Sequence, residues 1–388
     1  MIRTLTADDT EQLFRLREVG FFQQLDSSNP EVIKAQNERL PYTRGYFVDE
    51  TLASTVVFYP FSMHMGGQEL AFSGIAGVMS APEFRRKGHI KMLLKDGLEQ
   101  LKAAKTGWTL LYAFDANYYA KYGWQSIPNG SYLSLPVGKL PEAKATESLR
   151  LDKENLSPLE TIYEKWAKHY QFSFVRNHSG RESWQRLLKA FWDTRERKAY
   201  LLEDAYCIFD FHYGESRDPN RLVVHDYAYA SPKGRETLLA FLAGFQGQAD
   251  LVDLHLAAND PLYWQYASDY PRASNQMQAR IVDVKSALEP LISFQDTSFL
   301  LQVHDPFCDW NHGTFRLIMD QGNLSVEPAS GQADISLSIS HLALLVSGTV
   351  SAQSAQMLGL FEGSLGAAKA LSSLAAGFIP FMPRSDFF

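Results

Sequence analysis

The sequence predicts a mixed α/β chain made of three successive units. Its 388 residues, at roughly 150 per domain, make two or three domains. Apolar strand-like runs alternate with segments of helical period in two blocks of similar order, strand, helix, strand. The last hundred residues instead read as strands followed by helices, an α+β order. The expected divisions are 1–149, 150–285 and 286–388.

Composition narrows the class. With 45% hydrophobic and 21% charged residues, the chain has material for sizeable cores. Collagen-like, disulfide-scaffold and wholly disordered classes are excluded. The net charge of −7 argues against a general nucleic-acid binder. Residues 286–388 hold three basic residues against nine acidic ones, so most of that charge lies there. Cys207 and Cys308 stand among apolar or aromatic neighbours without a CxxC partner and read as buried thiols. The start, MIRTLTADDTEQLF, lacks the apolar region of a secretory signal, and no window suits a membrane helix. The expectation is a cytoplasmic protein.

The elements follow in order. Thr6–Asp9 ahead of Leu13, Phe14, Leu16 and Val19 predicts a capped first helix. Tyr46–Val48 and Leu52–Tyr59 read as strands turning at Asp49–Glu50. Phe61–Met65 and Leu70–Phe72 flank Gly66–Gly67 as a hairpin. Gly74–Ser80 is a glycine-interrupted strand, His89–Lys105 a helix, and Trp108–Phe114 an apolar strand. Asn117 is the expected cap of a short helix that ends at Gly123. Glu142–Leu149 reads as a linker.

The second unit holds helices around Leu159–Tyr170, Glu182–Phe191 and Pro232–Phe245. Its strands are Ala199–Glu203, Ala205–Tyr213, Arg221–Ala230 and Leu251–Leu256. The third holds strands at Phe299–Val303, Gly313–Met319, Leu324–Pro328 and Asp334–Ser340. Helices follow around Leu342–Val346, Ala352–Leu360 and Leu365–Ala376.

The most informative stretch is Gly74-Ile-Ala-Gly-Val-Met-Ser-Ala-Pro-Glu-Phe-Arg-Arg-Lys-Gly-His-Ile. It sets a strand end, a basic glycine turn and a helix start in succession. A helix N-terminus offers free N–H groups and the positive end of the dipole. Gly88 permits close backbone approach, and Arg85, Arg86 and Lys87 add charge, which suits a pyrophosphate. RxxG alone would be a solvated basic turn; the strand before and helix after argue otherwise. Neither GxGxxG nor GxxxxGK[ST] is present.

Arg85–Arg86–Lys87–Gly88–His89–Ile90 resembles the acyl-CoA loop [RQ]xxGx[GA] of the GNAT N-acetyltransferases, departing at Ile90. The enhanced intracellular survival (Eis) branch shares that departure. Asp260-Pro-Leu, Val303-His-Asp-Pro-Phe-Cys-Asp-Trp-Asn-His-Gly and a terminal Phe resemble the same branch, so the likeness spans the chain. It implies two GNAT-like mixed-sheet domains in tandem, the second without a cofactor loop, and a C-terminal sterol-carrier-like α+β domain. In agreement, only Ser231–Pro232–Lys233–Gly234 joins strand Arg221–Ala230 to its helix. It further implies an acetyl-CoA-dependent N-acetyltransferase acting on a small-molecule or peptide amine, assembled as a homo-oligomer, hexameric in the branch. The matching acetyl-CoA positions are Val78, Met79, Ser80, Arg85, Arg86, Lys87, Gly88, His89, Ile90, Lys91, Phe114 and Asp115.

Amine acetylation needs a base for the ammonium proton and an acid for the departing thiolate. Backbone groups at Val78–Ser80 suit the pantetheine amides. Tyr119, in Tyr119-Ala-Lys-Tyr-Gly-Trp, matches the family's general acid; Tyr118 competes and Tyr122 is expected to pack. The resemblance assigns the base to the α-carboxylate of Phe388. The tail Phe378-Ile-Pro-Phe-Met-Pro-Arg-Ser-Asp-Phe-Phe is apolar enough to anchor it, and partial desolvation would make it more basic. The histidines lack HxxxH and HExxH spacing, so no metal is expected. Asp305–Pro306 with Trp310–Asn311 reads as a packed turn. The rival reading is a lipid or small-molecule binder using the third unit, with the first regulatory. An intact Arg85–Ile90 loop beside Tyr119 is what a binder does not need.

Overall fold

A computed structural model describes residues 1–22, 25–141, 147–151, 157–176, 184, 197–215, 218–266, 271–273 and 277–386. Phe388 and nearly all of the expected helix Glu182–Phe191 lie outside these residues, Trp184 excepted. The strands run β1 (Ile2–Thr4), β2 (Thr43–Val48), β3 (Thr51–Met65), β4 (Gln68–Ser80), β5 (Trp108–Tyr112), β6 (Gln125–Ser126) and β7 (Ser131–Pro136). They continue with β8 (Ser148–Leu151), β9 (Tyr170–Gln171), β10 (Lys198–Leu202), β11 (Ala205–His212), β12 (Arg221–Tyr229), β13 (Leu251–Leu256) and β14 (Pro271–Ala273). The last are β15 (Met277–Ile281), β16 (Thr297–His304), β17 (Gly313–Asp320), β18 (Asn323–Ala329), β19 (Ile335–Ser338), β20 (Glu362–Gly363) and β21 (Ile379–Pro380). The helices used below are α1 (Thr10–Phe21), α2 (Pro30–Asn37), α3 (His89–Ala103), α4 (Ala116–Ala120), α5 (Glu160–Ala167) and α6 (Pro232–Ala243). After them come α7 (Pro261–Tyr266), α8 (Val284–Leu288), α9 (Ile339–Val346), α10 (Ala352–Met357) and α11 (Leu365–Ser373).

Among the described residues, two sheets have the orders β1-β2-β3-β4-β5-β15-β6 and β14-β7-β13-β12-β11-β10-β8. Both cross the expected divisions. β7, before residue 149, pairs with β13 in the second sheet, and β15, late in the second unit, lies between β5 and β6 in the first. Neither strand is legible in the sequence. β15 carries Gln278 and Arg280 between apolar residues, which reads as half-exposed, yet every residue in it is buried. The expected linker also shortens, because Ser148–Leu151 is β8 and pairs with β10.

The β3–β4 hairpin organises the first sheet. Gly66 and Gly67 have φ of 57° and 75°, as a two-residue hairpin turn requires. The two strands expected either side of Pro60 are one, since Pro60 lies beyond the end of β2 and deprives no partner of an N–H. The second unit docks on the β3 edge: Phe172 N–H donates to His64 O, and His64 N–H to Ser173 O.

The third unit is the sheet β18-β17-β16-β19-β20 covered by α9 and α11. Phe299, Leu301, Val303, Leu337, Leu342 and Leu345 are buried in one core with first-sheet residues such as Met277 and Ile281. Both cysteines are buried and free, as expected.

Candidate active site

The site begins with a break in strand pairing. One residue of β3, Val56, stands opposite two of β4, Gly77 and Val78. Gly77 has φ of 56°, and the Thr55 hydroxyl donates to its carbonyl at 3.0 Å. A two-against-one bulge bends the strand that carries it. β4 pairs in parallel with β5 only over Phe72–Ile75 and Trp108–Leu111. Beyond that the strands part. Val78–Ser80 then present backbone amides that no strand pairs on the β5 side.

The parted strand leads into the basic turn. Arg86 and Gly88 have φ of 62° and 83°, and Arg85 through Gly88 are exposed. Gly88 is the N-cap of α3, so no side chain caps the helix. The first helical bond is Met92 N–H to Gly88 O, which leaves the N–H groups of His89, Ile90 and Lys91 without an intrahelical partner. A Cβ at Gly88 would meet nothing within 4 Å. Open space, free N–H groups, the positive dipole end and three cations fit a pyrophosphate.

The side chains of Met79, Ser80 and His89 turn to packing and pairing within the domain. Met79 is buried against Leu13 and Leu16 of α1. The His89 ring stacks on Tyr46 at 4.0 Å between centroids, and burial lowers its proton affinity below the ordinary value, with Lys87 adding to this. Ser80 bonds the Ser54 hydroxyl at 2.7 Å. At these positions the cleft is offered backbone. Ile90 packs half-buried beside Leu93 and Leu94, and Lys91 is exposed.

The opposite wall follows β5. Phe114 is 74% exposed. Asp115, not Asn117, caps α4, accepting the Asn117 N–H at 2.9 Å. The Asp115 side chain, one residue before the helix, reaches the free amides, whereas Asn117 is already inside it. Tyr119 is buried, with Phe114, Tyr118 and Trp124 packed edge-on at 5.7, 5.1 and 6.3 Å. Burial first, and Tyr118 second, hold its phenol well above the ordinary value, so it stays protonated and can donate. Tyr118 is pushed up to about 12, chiefly by burial. Tyr122 packs on Phe307 at 4.9 Å, as expected.

Elsewhere in the first domain, α1 and α2 enclose a groove of about 740 Å³, lined by Asp8, Glu11, Phe14, Glu18 and Ile33 among others. Arg15 also lines it and is paired with Glu11. Sequence reading placed no substrate pocket here.

Comparison with known proteins agrees with this geometry. Residues 1–127 and 175–281 each match an acetyltransferase (GNAT) domain family, and residues 284–383 match the sterol carrier protein domain. The chain carries two GNAT acetyltransferase domains and a C-terminal sterol carrier domain. An uncharacterized N-acetyltransferase of Streptomyces coelicolor is 24% identical over 84% of this chain and 81% of its own. Another, from Streptomyces avermitilis, is 24% identical over 82% and 83%. In fold, the chain is similar to a GCN5-related N-acetyltransferase from Anabaena variabilis, with TM-score 0.86 at 21% identity and full coverage of both chains. It is likewise similar to Eis1 from Mycobacterium abscessus, with TM-score 0.82, 19% identity and full coverage of both. Its GNAT domains and N-acetyltransferase relatives make the chain an N-acetyltransferase, and the GNAT fold implies acetyl-CoA as cosubstrate. No helix among the described residues is long and apolar enough to cross a membrane.

The acetyltransferase's second GNAT domain repeats the break without the loop. β12 pairs in parallel with β13 only over Arg221–Val223 and Leu251–Asp253. Ser231 caps α6, accepting the Gly234 N–H at 3.0 Å, and donates to the Asp204 carboxylate. The tail of the chain fills the parting. β21 pairs with β9, Phe381 packs on Trp166 and His255, and Met382 N–H donates to Asn129 Oδ1 at 2.6 Å. Tyr112, at the end of β5, donates to the Met382 sulfur at 3.1 Å.

Asp386, whose role the sequence left open, is fully buried. It accepts from Arg176 Nε at 2.7 Å and Tyr163 Oη at 2.9 Å. Arg176 also pairs with Asp226 at 2.8 Å, and Ser385 donates to Asp226 at 2.7 Å. Sequence reading missed Arg176 and Asp226. No local signal marks them, since Arg176 and Asp386 stand 210 residues apart.

Proposed function

We propose that this acetyltransferase transfers the acetyl group of acetyl-CoA to a primary amine of a cationic acceptor by direct attack. The observation that carries the reading is the parting of β4 from β5, which leads straight to an uncapped basic helix N-terminus. In this reading the backbone of Val78–Ser80 receives the pantetheine amides. Residues Arg85–Lys91 receive the pyrophosphate, with Phe114 and Asp115 on the facing wall. Bound acetyl-CoA supplies the thioester carbonyl that the amine attacks.

Tyr119 is the general acid. Its buried phenol remains protonated at neutral pH and donates to the departing thiolate, whose charge the same apolar surroundings disfavour. The base is the α-carboxylate of Phe388. The acidic α1–α2 groove and the acidic third domain favour a cationic acceptor. A homohexamer is the assembly proposed, on resemblance alone.

The test is CoA-thiol release with a panel of aminoglycosides, polyamines and lysine peptides. Tyr119→Phe is expected to lower kcat by roughly 10²- to 10⁴-fold with little change in acetyl-CoA affinity. Wild-type kcat in that variant removes Tyr119 from the chemistry. One residue appended after Phe388 is expected to lower kcat by a similar factor, and a fully active extension rejects the terminal base.

A further inference from the structure

The turn Asp305–Asn311 belongs to the sterol carrier domain, yet it touches both helices that flank the acetyl-CoA cleft. Asp305 is buried, with both carboxylate oxygens occupied. Oδ1 accepts the N–H groups of Phe307 and Cys308 at 3.1 Å each, which closes the turn. Oδ2 accepts from Asn311 Nδ2 at 3.0 Å and from Arg280 Nη2 at 2.6 Å. Arg280, fully buried on β15, turns its other nitrogen, Nη1, to the carbonyl of Tyr122. Tyr122 stands three residues beyond Tyr119, and its N–H donates to Tyr119 O at 2.9 Å. A Cβ at Gly123 would come within 1.7 Å of Arg280 Nη1, and its φ of 90° also requires glycine. The backbone is shaped to admit the guanidinium.

The same turn holds α3. Lys95 Nζ donates to Phe307 O at 2.6 Å and lies 4.8 Å over the Trp310 ring. Lys102, two turns further, lies 5.0 Å over the same Trp310 ring. The Phe307 ring packs on Tyr122. Trp310 Nε1 and Asn311 Nδ2 both donate to Val282 O, just past the end of β15.

α4 has five residues, far below the length at which a helix holds itself in water. Its N-terminus is tied by Asp115. Its C-terminus faces a cation that complements the dipole and is itself neutralised by Asp305. We propose that the Asp305–Asn311 turn is a positioning device for acetyl transfer, holding α4 through Arg280 and α3 through Lys95. This fixes the distance between the pyrophosphate end of the cleft and the Tyr119 phenol. The third domain then serves the first as a brace. The proposal rests on the role assigned to Tyr119 above, and its test separates the two.

In the full-length protein, Asp305→Asn is expected to speed amide exchange of residues 116–123 at least tenfold, read by hydrogen-exchange mass spectrometry. Unchanged exchange overturns the brace whatever Tyr119 does. The same variant is expected to lower kcat by about 10- to 100-fold in the thiol-release assay, and to add little to Tyr119→Phe. Equal fractional losses in both backgrounds mean that Asp305 does not act through Tyr119, and overturn the positioning role. Full activity of Tyr119→Phe alone instead marks failure of the acid assignment, with exchange still judging the brace. Should Asp305→Asn not fold, Lys95→Met, on the surface of α3, is expected to lower kcat severalfold with an unchanged melting temperature, and wild-type kcat there overturns the proposal.

Discussion

The two GNAT domains share one geometric accident and resolve it in opposite ways. In each, parallel pairing of two strands stops after three or four residues, and the strands part. In the first, the parting opens onto α3, whose N-terminus has no side-chain cap, three neighbouring cations and free space around Gly88. In the second, Ser231 satisfies the helix N-terminus from within, and Asp204 sets a negative charge against it. The tail of the chain then packs the gap with Phe381, Ser385 and Asp386. A parted sheet is therefore only an opportunity. In the proposed reading, the chemistry at the helix start is what makes one a cofactor cleft and the other a clamp.

That contrast can be broken at its strongest point first. Arg176→Met would leave the buried carboxylates of Asp226 and Asp386 without their cation. Breaking such a network costs about 3–5 kcal/mol. Thermal unfolding should show the loss, and carboxypeptidase should then digest a tail that resists in the parent chain.

The next effect is one of pH. His255 packs on Phe381, and burial lowers its pKa to about 4 from 6.5. In the folded chain the ring stays neutral where the unfolded chain takes a proton. Its contribution is therefore whole above pH 6.5 and is lost as pH falls from 6.5 toward 4, by up to about 3 kcal/mol. His64, also lowered to about 4 by burial, adds a separate loss in the first sheet. His255→Phe should remove only the tail's share, so carboxypeptidase sensitivity at pH 5 should drop relative to the parent.

The smallest effect lies in the first cleft. Gly88→Ala places a Cβ on a left-handed residue at a cost of about 1–2 kcal/mol and points it where the phosphates approach. Acetyl-CoA affinity by calorimetry should fall by roughly tenfold. Gly234→Ala, in the first turn of α6, should leave that affinity alone but lower the melting temperature. Its Cβ would lie 2.8 Å from the Asp204 carbonyl.

What was legible in the sequence was contiguous. The basic glycine turn, the strand before it, the helix after it and the tyrosine pair on a short helix all sit within fifty residues. Backbone preference and local charge act over that range, so reading residues in order suffices. The same holds for the missing loop at Ser231–Gly234. β15 was illegible because its polar residues are paid for by distant partners: Gln278 by the Ala116 carbonyl, and Arg280 by Asp305 and the Tyr122 carbonyl. Asp386 was visible only as a charge in an apolar tail, because Arg176 is what gives it meaning.

The sequence by itself determined which helix start can receive an anion, since that depends on a glycine, a missing cap and adjacent cations. Only the tertiary structure decided which strand fills each sheet, which gap stays open, and which residues hold Tyr119 in place. Those outcomes are contacts between segments up to two hundred residues apart. A buried charge is tolerable only where its partner arrives, and that arrival is a property of the fold.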